Sequence, residues 1–549
     1  MKYALQLIFM ATSVLSVYGQ VKDPADNILI TTENKETAVA SNENGQLQVN
    51  VAPSDVQKFK SRGWVAYKDL GAKGDGKKDD MDAIAATHAV ANQFKLSVKT
   101  GAGDTYYIGG KERTAVIRTN TDFGTASFVI DDTHVQNRYA PIFLVSSAWQ
   151  PMKLNTIASL KKNQPNTGQS LPGACLITVT DSLVNRYIRF GLNQNNGSPQ
   201  TDIFVVDKNG NVDMNAPIIW DFNHVTDVNA LPIDEKMLTI TGGRFTTIAN
   251  KAESQYAYYA RNIHIMRSHV IVDGLEHRVI NEGDHGAPYG GFIDISDCAY
   301  VTVKNTVFTG HKTYITIGTA GKPVPMGTYD ILVNRALNIS FINCSQTNDI
   351  NDTTYWGIIG SNFCKNLLYD SCRLSRFDAH MGVANATIRN STLGHMGVNV
   401  IGSGLLKVEN STINAGAFIM LRTDYGSTWQ GEVLIRNCIF VPKAGKPAIG
   451  NLIAGINSGQ HDFGYTCYMP ERIIVENLRI DDANHPAFYQ GPYIFDNFNP
   501  EMTDSSYKEA FPFVRTKEVI LHNVTTASGK KLNLSTNPFV FKDVKVITE

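Results

Sequence analysis

The sequence has little net charge and no long apolar run after its first residues. Its 549 residues carry 50 Lys and Arg against 51 Asp and Glu, a formal net charge of −1. No global field therefore attracts nucleic acid or an anionic polymer, and any recognition of charge must be local. No later stretch is apolar enough to cross a membrane. We expect neither a nucleic-acid partner nor a membrane span.

Cysteine usage excludes a complete disulfide framework. Seven Cys is an odd number, which leaves a free thiol. No CxxC pair is present, so zinc-type spacing is absent. The first Cys is Cys175, far from the apolar start, and we therefore expect no lipoprotein anchor. These absences favour buried, unpaired thiols.

The first residues have the pattern of a secretory signal peptide. A positive charge at Lys2 precedes a short apolar run, and small residues lead to Gly19. This pattern predicts a signal peptide over residues 1–19 and export to the periplasm or beyond. Residues 20–60 are polar and rich in Asn, Glu and Thr, which predicts a loosely packed polar arm.

A strand, a tight turn and a helix are predicted where the main domain begins, within residues 61–549. A short strand from Trp64 is followed by a Gly/Asp turn, and Asp79 or Asp80 is a suitable helix N-cap. Asp82 in the first turn favours the helix dipole. We interpret the aspartates as turn and cap residues in preference to a calcium loop.

A repeat dominates the chain from about residue 236. Its unit is apolar–x–apolar–x–Asn–small–x–apolar, and the Asn or Ser position recurs at Asn305, Asn343, Ser371, Asn390, Asn410, Asn437, Asn477 and Asn523. A spacing near 20 residues with strand-like alternation is typical of a solenoid. We expect the Asn side chains to point inward and to hydrogen-bond along their stack. The next position carries small residues, including Cys344, Cys372 and Cys438, which predicts a tight buried ladder.

Residues 110–235 contain several short strand-like segments separated by turn residues. They are either early coils, an inserted β-subdomain, or both. The stretch DLGAKGDGKKDDMDAI at residues 69–84 resembles the opening of the pectate-lyase-like β-helix superfamily. That resemblance implies an all-β fold, a right-handed parallel β-helix with an N-terminal capping helix. We expect a single-chain monomer.

Polar residues at equal distances from the aligned Asn/Ser positions suggest a site on one lateral face. One expected column is Asn348, Arg376 and His395, and a second is Tyr314, His380 and Asn399, with Asp378 between them. The phrase RFDAH also resembles a segment of uncharacterised β-helix proteins of this superfamily. Further candidates for substrate binding are Arg422, Tyr425, Trp429, Lys312 and His285, and Trp429 is expected to stack on a sugar ring.

These residue types fit elimination better than hydrolysis. Arg376 can neutralise a uronate carboxylate, His380 can remove the C5 proton, and Tyr314 or His395 can protonate the leaving oxygen. Hydrolysis needs two carboxylates flanking the bond. Asp294 and Asp297 are three apart in one strand and are expected on opposite faces. Hydrolysis by Asp378 with another carboxylate stays an alternative.

The superfamily resemblance implies lyase action on acidic polysaccharides, in several relatives with calcium and a Lys or Arg base. No carboxylate cluster shares one register here, which favours a metal-independent site without a cofactor, and Ca²⁺ stays the alternative. The leader resembles that of exported glycan-degrading proteins of gut Bacteroidetes, which implies glycosaminoglycans such as chondroitin or dermatan sulfate as substrates. A non-catalytic, glycan-binding solenoid is the third alternative.

Overall fold

The computed structural model describes residues 27–137, 140–251, 261–283 and 291–548. The expected signal peptide at residues 1–19 and the candidate residue His285 lie outside the described residues.

The chain folds into a right-handed parallel β-helix, as the repeats predicted. A continuous sheet of 27 strands winds along the solenoid, and nearly all its pairings join one coil to the next in parallel. Its strands are Trp64–Ala66, Asp75–Asp79, Ser97–Lys99, Thr105–Ile108, Ala115–Ile117, Thr121–Asp131, Phe143–Ser146, Leu238–Ile248, Ile263–Met266, Val270–Asp273, Glu276–Ile280, Ile293–Lys304, Val307–Phe308, Ile331–Ile342, Ser345–Gln346, Ile359–Asp370, Arg373–Arg389, Thr392–Val400, Gly402–Glu409, Thr412–Ile413, Ala417–Leu421, Trp429–Phe440, Asn451–Ala454, Arg472–Ile480, Tyr493–Phe495, Glu518–Thr526 and Lys545–Thr548.

Each coil turns three corners, so the solenoid has three lateral faces. Face A contains residues 331–334, 359–362, 376–381, 397–400 and 417–421 of successive coils. Face B contains residues 336–342, 364–370, 383–389, 402–409 and 429–436. Face C contains residues 345–346, 373–374, 392–393 and 412–413. Alternate residues point inward, and their aliphatic side chains form one continuous core.

The stacked Asn residues form a ladder, but on the outside of the solenoid. Asn343 donates to Asn305 over 2.8 Å, and Asn477 donates to Asn437 over 2.9 Å. All eight aligned residues are exposed, with φ between 49° and 57°. The expected inward direction is therefore wrong. This left-handed backbone turns the chain at a corner, and Asn tolerates that conformation better than most residues.

The position after seven of the eight ladder residues is buried, as expected. Cys344, Cys372 and Cys438 are each at most 2% exposed, and their thiols donate to backbone carbonyls of their own or the preceding coil. All seven Cys are unpaired and buried. They pack as small apolar residues in a tight ladder.

The N-terminal residues are more ordered than the expected polar arm. Strands Ile28–Thr31, Ala38–Ser41 and Leu47–Asn50 form a small sheet, and helix Pro53–Arg62 follows. A second helix, Met81–Phe94, covers the open end of the solenoid, and both carboxylate oxygens of Asp80 accept backbone N–H groups of the preceding turn. Single-turn 3₁₀ helices lie at Tyr67–Leu70, Thr423–Tyr425 and Pro442–Gly445.

Residues 152–232 leave the solenoid and form an inserted antiparallel sheet. Its strands, in spatial order, are Met152–Lys153, Asp227–Pro232, Cys175–Arg186 and Ser198–Val206. Leu176, Ile203 and Val205 pack on Ala299 and Leu337 of face B. Two further strand pairs, Tyr314–Ile317 with Pro323–Met326 and Cys467–Tyr468 with Phe513–Val514, stand apart from the main sheet. Among the described residues, no helix is long and apolar enough to cross a membrane.

Candidate active site

Asp378 is the centre of a polar cluster on the outer surface of face A. It lies on strand Arg373–Arg389, and its side chain is fully buried beneath its neighbours. Arg376 Nη2 lies 3.0 Å and Arg422 Nη1 lies 3.1 Å from the same oxygen, Asp378 Oδ1. The Tyr329 hydroxyl donates to the other oxygen. Two guanidinium groups and a phenol thus hold one carboxylate.

Two glycines make room for this arrangement. A Cβ at Gly360 would lie 2.8 Å from the Tyr329 ring, and a Cβ at Gly357 would lie 2.8 Å from Cδ of Arg376. These are closer than ordinary van der Waals contact, so larger residues would displace both side chains. The missing side chains at Gly357 and Gly360 let Tyr329 and Arg376 approach Asp378.

Arg422 links Asp378 to a second carboxylate, Asp424. Arg422 Nη2 donates to Asp424 Oδ2 over 2.9 Å, and Arg189 Nε lies 2.8 Å from that same oxygen. Arg189 comes from the loop that joins strands Cys175–Arg186 and Ser198–Val206 of the inserted sheet. The cluster therefore contains three guanidinium groups and two carboxylates, a local surplus of one positive charge.

Both carboxylates stay ionised. Burial alone would raise the pKa of Asp378, but Arg376 and Arg422 outweigh it, and the pKa lies below its usual value. Burial likewise opposes ionisation of Asp424, and Arg422 with Arg189 lowers its pKa strongly. Neither carboxyl group can therefore act as a proton donor near neutral pH.

Arg376 keeps unused hydrogen-bonding capacity. The residue is 3% exposed, and its guanidinium lies 5.3 Å from the centre of the Trp356 ring. Among the described residues, its Nε and Nη1 have no hydrogen-bond partner. Unpaired buried donors are costly, which suggests that a ligand supplies an acceptor.

His380 is held as a neutral imidazole. Burial, and then the charge of Arg422, lowers its pKa to about 3. Its Nδ1 lies 3.1 Å from Asn362 Oδ1. Because a carbonyl oxygen only accepts hydrogen bonds, Nδ1 carries the proton and Nε2 carries the free lone pair. The ring also contacts Tyr425 edge-on, at 5.7 Å between centres.

The expected columns are only partly present. Arg376, Asp378, His380 and Arg422 do come together, but a register shift after Leu374 pairs Arg376 with Gly397 and not with His395. The Asn399 column is also displaced, since Asn399 pairs with Asp378.

The strand register of the solenoid does not place Tyr314 in the Asp378 cluster. It is 2% exposed and lies in the separate hairpin strand Tyr314–Ile317. The main sheet does not contain this strand, so counting from the ladder position was wrong for Tyr314. The phenol that reaches Asp378 belongs to Tyr329.

Three other candidates lie in the loops beside face A. His395 Nε2 donates to the Tyr355 carbonyl over 3.2 Å, and Lys312 pairs with Tyr355 through its backbone. Burial lowers the pKa of His395, and Arg376 adds to that effect. The amide of Asn348 donates to the Asp349 carbonyl over 3.3 Å. These residues form a second group beside the Asp378 cluster. Arg376 lies between the two groups, because its charge acts on both Asp378 and His395.

Tyr425 and Trp429 support the site from inside the protein. Tyr425 is 2% exposed and packs in a small cluster with Tyr187 and Ile401. Trp429 is fully buried in the solenoid core, where its Nε1 donates to the carbonyls of Gly404 and Glu432. Stacking of Trp429 on a sugar is therefore wrong, because the ring has no free face.

Replacing Trp429 by Ala is expected to affect stability and not sugar recognition. Removing a buried indole costs about 3–5 kcal/mol through lost contacts and the cavity left behind. Chemical denaturation of the purified variant measures this loss. Trp149→Ala is the matched control, since Trp149 is 59% exposed and its loss should change stability by less than about 0.5 kcal/mol. Equal stability of the two variants would contradict the placement of Trp429.

The sequence analysis missed Tyr329, Asn362, Arg189 and Asp424. Asp424 follows Arg422 by two residues, and Asn362 occupies face A one coil before His380, so both carried a positional signal. Tyr329 and Arg189 carried none, because each reaches the cluster from a loop of unrelated length.

No cluster of three or more His, Cys, Asp or Glu side chains suited to a metal ion occurs in the described parts of the chain. Asp378 makes its contacts with guanidinium groups and a phenol, which are not metal ligands of the hard-cation type.

Comparison with known proteins gives the fold. The tailspike gp61 of Pseudomonas phage phi297 matches with a TM-score of 0.56 and 12% identity, over 88% of this chain and 84% of that chain. These two chains share a fold. No family model and no curated protein matches the sequence.

Two more distant structures are of proteins named for a carbohydrate ligand or substrate. The gp54 tailspike of Acinetobacter baumannii bacteriophage AP22, in complex with A. baumannii capsular saccharide, has a TM-score of 0.42 and 8% identity over 90% of this chain and 76% of that chain. The A-module of the Azotobacter vinelandii mannuronan C-5 epimerase AlgE6 has a TM-score of 0.40 and 11% identity over 88% and 99%. Such distant likeness carries no functional argument.

Proposed function

We propose that this protein is a polysaccharide lyase that cleaves a uronic-acid polymer by β-elimination on face A. The observation that carries the proposal is that face A holds both a neutral His380, with Nε2 free, and Arg376, whose Nε and Nη1 lack acceptors among the described residues. C5 proton removal requires a base and a carboxylate-binding group, and these two lie on the same face of one strand, on either side of Asp378.

Each group has a separate role in the proposed reaction. Arg376 donates hydrogen bonds to the uronate carboxylate and stabilises the negative charge that develops when the C5 proton leaves. His380 Nε2 takes that proton. Tyr329 donates a proton to the leaving glycosidic oxygen. Burial and then the charge of Asp378 raise the pKa of its phenol, which holds the proton until transfer, and the charges of Arg376 and Arg422 act in the opposite direction and stabilise the phenolate that remains.

Asp378 and Arg422 position the reacting groups. Asp378 fixes the orientation of Arg376 and Tyr329 through direct contacts. The surplus positive charge of the cluster attracts an acidic sugar even though the whole chain has almost no net charge. We also propose that the protein is exported and that glycosaminoglycans are its preferred substrates. Both proposals rest on the resemblance of the leader to that of exported glycan-degrading proteins.

Glycoside hydrolysis is a second candidate, at a different pair of carboxylates. Asp294 and Asp297 lie on the same side of their strand, because the left-handed backbone of Asp297 (φ 50°) breaks the alternation. Burial raises the pKa of Asp294, whereas Arg335 holds Asp297 through two contacts of 2.7 and 2.9 Å. A carboxyl group with a raised pKa near a second carboxyl group paired with Arg is the arrangement that hydrolysis needs.

A panel of purified polymers tests the proposal. We expect at least one uronic-acid polymer, tested among glycosaminoglycans, alginate and pectate, to give the ultraviolet absorbance of an unsaturated uronate. Reducing ends without that absorbance, lost in Asp294→Asn, would favour hydrolysis. Polymer retention on a native gel without any product would favour a binding protein.

We expect that the rate of polymer cleavage does not fall through protonation of a histidine when the pH is lowered. An ordinary histidine has a pKa of about 6.5, but burial and Arg422 lower that of His380 to about 3. His380 therefore stays an unprotonated base as the pH falls from about 8 to about 5. A kcat/KM profile on the cleaved polymer measures this. A tenfold fall per pH unit below about 6.5 would contradict the neutral assignment.

A further inference from the structure

A groove separate from the Asp378 cluster runs between the inserted sheet and face B. Two cavities of about 170 and 270 Å³ form it. They are continuous, since both are lined by Ile219, Lys365, Ala384, Ser403 and Gln430. None of Arg376, Asp378, His380 or Arg422 lines either cavity.

The floor of the groove is a row of aligned side chains along the solenoid. Lys365, Ala384, Ser403 and Gln430 are direct cross-strand neighbours in four successive coils. Four strands at the usual spacing span about 14 Å parallel to the solenoid axis. The groove therefore suits an extended chain of a few linked units.

The floor carries no net charge. Lys365 Nζ lies 2.8 Å from Asp202 Oδ1, and both side chains are at least 98% buried. The pair neutralises itself, so the floor offers no site for a lone carboxylate or sulfate. Arg186 also lines the groove, but its guanidinium already donates to Gln200 and to the Gly464 carbonyl. Lys162 and Glu471, of opposite charge, line the second cavity.

Aromatic rings and polar side chains line the walls of the groove. Trp220 lines the groove and is covered on one side by the Arg186 guanidinium, 4.3 Å from the ring centre. The side chains of Ser403, Gln430 and Thr466 line it too and make no hydrogen bond with the described residues. Rings beside free hydroxyl and amide groups match the apolar faces and hydroxyls of sugars.

We propose that this groove is a second glycan-binding site, for uncharged sugar units, that acts independently of the proposed lyase site. A wall separates the two. Tyr187 lies against Gly382 at the groove end, and its ring packs 6.3 Å from that of Tyr425, which supports His380. An extended neutral segment or side branch fits the groove while an acidic unit occupies face A.

Calorimetric titration of the full chain with linear neutral hexasaccharides of glucose, mannose, galactose and N-acetylglucosamine tests this site. At least one should bind, and Gln430→Ala should weaken that binding at least tenfold by removing the amide from the floor. Ser403→Trp should abolish it by filling the groove without touching the core. Trp220→Ala should also weaken it, although that ring packs partly on the core of the inserted sheet.

Two controls separate this inference from the lyase proposal. Trp149→Ala, at an exposed indole outside the groove, and His380→Gln should both bind the neutral hexasaccharide as the unaltered protein does. The inference is overturned if no neutral hexasaccharide binds, if Ser403→Trp and Gln430→Ala leave binding unchanged, or if only acidic hexasaccharides bind and compete at this groove.

Discussion

His380→Gln is expected to lower kcat of polymer cleavage by about 10²–10⁴-fold, the usual contribution of a general base. Gln keeps the approximate size of the ring and a polar end but cannot take a proton. KM should change little, because Arg376 still binds the carboxylate. Initial rates of unsaturated product formation over a range of polymer concentrations measure both constants.

The matched control for this change is His522→Gln, at an exposed histidine on face B. It should retain full activity. The free energies of unfolding of the two variants should agree within about 0.5 kcal/mol if His380 serves chemistry alone. Unchanged kcat in His380→Gln would remove this residue from the mechanism, whatever the reaction proves to be.

Asp378→Ala is expected to destabilise the fold and to abolish activity. Removing the carboxylate leaves the Arg376 and Arg422 guanidinium groups and the Tyr329 phenol without their shared partner. Breaking a buried ion pair in this way typically costs about 3–5 kcal/mol. Denaturant unfolding followed by tryptophan fluorescence measures the loss, and Asp543→Ala, at an exposed aspartate, is the control.

The same contacts give the stability a defined pH dependence. Because the pKa of Asp378 is lower in the folded state than in the unfolded chain, its stabilisation is present above the unfolded pKa of about 3.9. It is lost as the pH falls through the folded pKa. The stability gap, meaning the difference in free energy of unfolding between the unaltered protein and Asp378→Asn, should therefore become smaller as the pH is lowered. A gap independent of pH, or no loss of stability at all, would contradict the placement of this carboxylate.

The fold could be predicted because a solenoid repeats its local pattern. Alternating apolar residues and a recurrent Asn every coil determine which residues stack, and Cys344 and Cys372 follow as buried small residues. The direction of the Asn side chains could not be read from spacing. A single residue with φ near 50°, such as Asn305, turns the chain and reverses the alternation that the pattern assumed.

The candidate site was only partly predictable. Arg376, Asp378 and His380 share one strand, so their common face follows from alternation alone. Register shifts and loops of unequal length displaced His395 and Tyr314, which had been aligned by counting residues.

Two parts of the cluster come from outside the repeat. Arg189 arrives from the inserted sheet, more than 200 residues before its partner Asp424. Tyr329 reaches Asp378 only because Gly360 leaves space for its ring. Contacts of this kind depend on tertiary structure, and no periodicity in the sequence encodes them.

Cleavage in heavy-oxygen water, followed by mass spectrometry of the released oligosaccharides, tests the central claim most directly. β-Elimination breaks the glycosidic bond without adding water, so the products should carry an unsaturated uronate end and no heavy oxygen from the cleavage step. Products with heavy oxygen at the new reducing end, corrected for slow exchange with an unlabelled oligosaccharide control, would show hydrolysis and contradict the assignment of His380 and Arg376 as an elimination site.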